Sequence, residues 1–87
     1  MTIRITLRFF ASVREAVGAS QEQLALPEGV TTVGAVRDLL IARGGAWAQA
    51  LGHERALRMA FNQVMCAAET PVADGGEVAF FPPVTGG

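Results

Sequence analysis

"TVGAVRDLLIARGG", residues 32–45, decides the fold, because here the apolar period changes from that of a strand to that of a helix. Val33, Val36, Leu39 and Leu40 fall on one helical face, Thr32 is placed to cap the first turn, and Arg43 suits the last. Gly44-Gly45 marks the stop. The spacing predicts an amphipathic helix of about three turns.

Upstream, residues 2–10 alternate strictly: Ile3, Ile5, Leu7 and Phe9 on one face, Thr2, Arg4, Thr6 and Arg8 on the other. Residues 11–18, "ASVREAVG", read as one or two helical turns, with Ser12 and Glu15 at capping-box spacing and Gly18 as stop. "QEQLAL", 21–26, is a second strand, and Pro27-Glu28-Gly29 has turn chemistry. Downstream, "AWAQALG", 46–52, reads as a short helix in which Trp47 packs rather than binds a ligand. Leu57, Met59 and Phe61 alternate, with Arg58 and Ala60 opposite. Asn62-Gln63 then turns into a strand over 64–68, and Asp74-Gly75-Gly76 into a last strand, 77–81.

The order strand, strand, helix, strand, strand, strand lacks a second βα unit, which excludes a doubly wound parallel sheet. The expected class is α+β: one mixed sheet covered on one face by a main helix, a ubiquitin-like β-grasp. With 87 residues the chain supports one core, expected over 1–81, followed by a flexible tail, 82–87.

Composition removes several function classes. The formal charge is −1 and all seven basic residues are arginine, so the basic excess of a nucleic-acid binder is missing. Without lysine, no side-chain amine can accept an acyl group. The single cysteine, Cys66, precludes an internal disulfide or a thiolate metal cluster and reads as a small, half-buried apolar residue. The alternating N-terminus predicts neither signal peptide nor membrane anchor, which points to the cytoplasm. His53 stands alone and reads as a solvated turn residue, Asp74 and Glu77 lack a third acid, and Ser12 and Ser20 lack a base. No metal site or resident cofactor is expected, and chemistry at this chain points to a substrate or carrier.

Parity separates the two phenylalanine pairs. If Phe9 and Phe80 face the helix, Phe10 and Phe81 face the open side, together with Arg4, Arg8 and Arg58. Two readings follow: an apolar interaction patch with a basic rim, or rings covered by loops or scattered singly. Beyond Phe81, Pro82-Pro83 end the sheet, and the six residues to Gly87 reach about 20 Å when extended. A diglycine end fits a narrow channel and leaves its terminal carbonyl unhindered; a frayed terminus is the alternative.

Three segments carry a resemblance: "RFFASVREAVG" at 8–18, "FNQ" at 61–63 and, above all, "DGGEVAFFPPVTGG" at 74–87. They resemble the MoaD-type sulfur carrier proteins, small subunits of molybdopterin synthase within the ThiS/MoaD ubiquitin-like family. The resemblance implies a β-grasp fold and chemistry at the Gly87 carboxylate. An E1-like activating enzyme of MoeB type would use ATP to adenylate it, and a sulfur donor protein would convert it to a thiocarboxylate. Pro82, Pro83, Val84, Thr85 and Gly86 would carry that group into a MoaE-type large subunit, where cyclic pyranopterin monophosphate accepts sulfur in molybdenum cofactor biosynthesis. A heterotetramer is implied, with this chain as the non-catalytic sulfur-donor subunit.

Phe10, Met65 and Phe81 match the family's partner-binding surface, Met65 standing in for a usual leucine. Arg14 matches a family arginine whose role stays open. Two departures are visible: "DGG" for the more frequent "DGD", and "FNQ" for the commoner "VNQ". A sulfur carrier of a thiamine-type pathway and a ubiquitin-like protein modifier remain the alternatives.

Overall fold

The computed structural model describes residues 2–83. Its elements run β1 (Ile3–Phe9), α1 (Ala11–Val17), β2 (Gln21–Leu26), α2 (Val33–Ile41), α3 (Gly45–Leu51), β3 (Arg58–Phe61), β4 (Val64–Cys66) and β5 (Glu77–Phe81). The five strands form one mixed sheet in the order β2-β1-β5-β3-β4. β5 inserts parallel to β1 and antiparallel to β3, so the first and last strands are central neighbours.

The inward residues of that sheet and the apolar stripe of α2 make one core. Ile5, Leu7, Phe9, Val78 and Phe80 come from the central strands, and Val33, Val36 and Leu40 from α2, all at most 2% exposed. Each such side chain contributes about 1.5–3 kcal/mol on burial. Phe9 stacks against Phe80 at 6.4 Å and meets Trp47 of α3 edge to face at 5.4 Å, so Trp47 packs as the sequence predicts. Cys66 lies half-buried against the same cluster.

α2 starts as predicted, with Thr32 Oγ1 accepting from the Ala35 N–H at 3.1 Å. Its other early N–H groups, Val33 and Gly34, donate to the carbonyls of Thr70 and Ala68. That approach requires glycine: a β-carbon on Gly34 would stand 2.9 Å from the Ala68 β-carbon. The helix ends at Ile41 rather than at the diglycine, and Gly45 already belongs to α3. Arg37, 8% exposed, closes the far end of α3 by donating to the carbonyls of Leu51 (2.7 Å), Gly52 (2.7 Å) and Arg55 (3.2 Å). A buried guanidinium thus donates to carbonyls at the helix end, sharing that of Gly52 with the Arg55 N–H.

Two local expectations are corrected. The Ser12/Glu15 capping box does not form, because α1 begins two residues earlier: Phe10 is the N-cap, without a side-chain cap, and Ser12 lies within the first turn. The sharp bend that permits this is Ala11 at φ 52°, a left-handed conformation that costs a non-glycine residue about 1–2 kcal/mol. β4 stops at Cys66 rather than Ala68, since the carbonyls of Ala68 and Thr70 turn to α2. Gly18 does end α1, in the left-handed region, its N–H donating to the Arg14 carbonyl.

The two departures from the family pattern meet in space. A β-carbon on Gly76 would fall 2.5 Å from the Phe61 ring, so the ring occupies the room that a side chain at 76 would need. Next to them Asn62 and Gln63, both at positive φ, form the tight β3–β4 turn. The Asn62 side-chain oxygen accepts from the Glu77 N–H, and its own N–H donates to the Glu77 carbonyl.

Candidate functional site

The helices pack on one face of the sheet, and the other is open. Pairing fixes what lies there. Arg8 on β1 is level with Ala79 on β5, Ala79 with Ala60 on β3, and Ala60 with Met65 on β4. One step toward the C-terminal end of β5, Phe81 lies opposite Arg58. Phe10 follows Arg8 on the same face, since it keeps an extended backbone at φ −130°, ψ 154°.

These positions form a shallow surface with raised edges. Ala60 and Ala79, each only 6% exposed, form its floor beneath their larger neighbours, although parity directs both outward. Phe10 and Phe81 form one edge, their rings 6.2 Å apart and near perpendicular at 85°. Such pairs add about 0.5–1.5 kcal/mol beyond their buried area. Met65, 54% exposed, forms the opposite edge, and Phe10 is itself 40% exposed. The two outward rings are paired rather than scattered singly.

Arg8 lies over Phe10, its guanidinium carbon 5.5 Å from the ring centroid. Its Nη1 is 3.8 Å from Glu77 Oε1, too far for a hydrogen bond, and its Nε is buried without a hydrogen-bond partner among the described residues. Parity places Arg8 on this face but gives no sign of its central position. Nor does the sequence mark Ala60 and Ala79 as neighbours, because that depends on β3 pairing with β5.

Pro82 and Pro83 follow β5, both half-buried, and Pro82 lines an open groove of about 310 Å³ with Ser12, Ala16, Gln49 and Leu57 of the helical side. Val84, Thr85, Gly86 and Gly87 lie outside the described residues, and with them the expected flexibility of the tail and its reactive end. Arg14 is exposed on α1. His53 is exposed as expected, its Nε2 lying 2.6 Å from Asp38 Oδ1. No described helix is long and apolar enough to cross a membrane.

Beyond geometry, the family model described as "ThiS family" matches residues 7–87. The chain belongs to the ThiS family. Its relatives include the molybdopterin synthase sulfur carrier subunit of Escherichia coli (strain K12), 45% identical over 83 residues that cover 95% of this chain and 99% of that one. The same-named subunit of Haemophilus influenzae is 41% identical over equal shares. Among solved structures, SAMP1 from Haloferax volcanii superposes with a TM-score of 0.73 at 26% identity, covering 97% of this chain and 99% of that one. This ThiS-family chain thus has the β-grasp sheet expected of it, with Phe10, Phe81 and Met65 on one open face and Pro82 leaving from the strand that carries Phe81.

Proposed function

We infer that this chain is the sulfur carrier subunit of a molybdopterin synthase. The observation that carries the inference is 45% identity to the Escherichia coli subunit of that name across nearly the whole of both chains. The open face supports it: an apolar surface with arginines beside it lies at the root of the segment that would deliver the reactive group.

In this reading Gly87 is the reacting residue. A carboxylate is a poor electrophile until adenylation supplies a leaving group, so an E1-like enzyme spends ATP to form the acyl-adenylate, and sulfur from a donor protein replaces AMP. The resulting thiocarboxylate is a soft sulfur nucleophile, and cyclic pyranopterin monophosphate takes the sulfur inside the large subunit. Phe10, Phe81 and Met65 dock the partners, while Pro82, Pro83, Val84, Thr85 and Gly86 form the arm. The word "subunit" in the relatives' names supports a large-subunit partner. The activating enzyme and a cytoplasmic setting are part of the proposal.

The test is intact-mass measurement after incubation with the cognate activating enzyme, ATP and a sulfur donor. An increase of about 16 Da, oxygen exchanged for sulfur, is expected for the full chain and none for a chain lacking Gly87. An unchanged mass under conditions that thiolate the Escherichia coli subunit would count against the assignment.

A further inference from the structure

Charge on the open face is unlike that of the chain as a whole. Among outward strand positions, Arg4, Arg8 and Arg58 stand against Glu77 alone, so three positive charges less one negative leave two positive, whereas the chain carries −1. Arg8 is the arginine nearest the middle, and it is poorly matched. Among the described residues its Nε is enclosed without an acceptor, and the carboxylate facing it, that of Glu77, is beyond hydrogen-bond distance. A guanidinium offers five donors in a planar fork, so a site that leaves it unmatched holds it ready for a better carboxylate.

We propose that Arg8 selects the partner: on docking, its guanidinium takes a carboxylate of the large subunit, whose surface pairs an apolar centre with an acidic residue opposite Arg8. This rests on the reading of the chain as a carrier subunit that docks by this face. A second copy of the chain does not fit, because it would set arginine against arginine. A partner with a basic residue at that point is rejected by like charge, which gives Arg8 a role in specificity that an aliphatic residue could not supply.

The test is calorimetric titration of the full chain with the cognate large subunit at about 0.1 M and about 1 M NaCl, between which the screening length falls from about 10 Å to about 3 Å. The wild type is expected to bind more weakly at high salt. Arg8→Leu, which keeps strand propensity and removes the unmatched donor, is expected to bind about tenfold or more weakly at low salt and to lose most of the salt dependence. Arg8→Lys should fall between. Arg8→Leu binding as tightly as wild type, with the same salt dependence, would overturn the proposal.

Should Arg8→Leu fail to fold, Glu77→Gln provides the second reading: removal of the competing carboxylate is expected to tighten binding, and unchanged or weaker binding would sink the idea. Molybdopterin formation by the wild-type pair is measured alongside. Its absence counts against the carrier assignment itself, whereas its presence together with an indifferent Arg8→Leu counts only against Arg8.

Discussion

Phe10 and Phe81 meet edge to face across adjacent parallel strands, on the side of the sheet away from the core. In the proposed reading each ring holds the other in place for a partner. Phe10→Ala and Phe81→Ala are each expected to weaken binding to the large subunit by about tenfold or more while lowering the melting temperature by only about 4–8 °C, the loss of one ring pair. A double-mutant cycle in the same titration should show coupling of about 0.5–1.5 kcal/mol. Strictly additive losses would mean that the rings act separately.

Glu22 of β2 accepts a forked pair of hydrogen bonds from Arg43, whose guanidinium also lies 4.5 Å from the Trp47 ring centroid. The hydrogen bonds from Arg43 hold the Glu22 carboxyl below its ordinary value of about 4.5. A depressed folded-state value contributes stability above the unfolded value that disappears as pH falls through the folded one. Glu22→Gln should therefore cost about 0.5–1 kcal/mol at pH 7, and the difference from wild type should vanish in acid. Urea denaturation at several pH values measures it.

Arg37 satisfies three carbonyls at the end of α3 from a nearly buried position. Arg37→Met keeps the stem but takes the donor from the Leu51 and Arg55 carbonyls, while Gly52 keeps the Arg55 N–H, so a loss of about 1–3 kcal/mol is expected in thermal or urea denaturation. Lysine, with a single ammonium, should recover only part. A loss below 0.5 kcal/mol would show that water replaces the guanidinium (about the size of a surface change).

Phe61 and Gly76 share one volume. Gly76→Asp alone should destabilise by about 1–3 kcal/mol because the ring must move, and Phe61→Val alone should leave unfilled space at comparable cost. Together they are expected to cost less than their sum by at least about 1 kcal/mol, measured by urea denaturation. Additivity would mean that the contact is slack.

Most of the fold was legible because it is written in short-range patterns. Alternation in residues 3–9 and 77–81 gave the strands and their faces, and parity alone sent Phe10 and Phe81 to the open side. What sequence could not supply was order across the sheet. Nothing local says that β5 lies between β1 and β3, so the apposition of Ala60 with Ala79 and the central place of Arg8 emerge only from long-range pairing. The capping box misled because Ala11 adopts a backbone conformation that alanine seldom takes. Arg37 was hidden within an amphipathic pattern that normally sends arginine to solvent. The tail's residues were singled out by their small size and by their resemblance to a family, and the chemistry proposed for them depends on partners.

The alanine floor has a wider consequence. Ala60 and Ala79 offer a partner only methyl groups and backbone, so the shape of the open face depends on side chains that are absent. A variant could keep both aromatic rings, every arginine and the whole diglycine arm, fold normally, and still hold its partner at arm's length through one bulkier residue at either position. Surveys that score only distinctive residues would pass over such a chain, and its defect would surface as failed assembly in an otherwise sound protein.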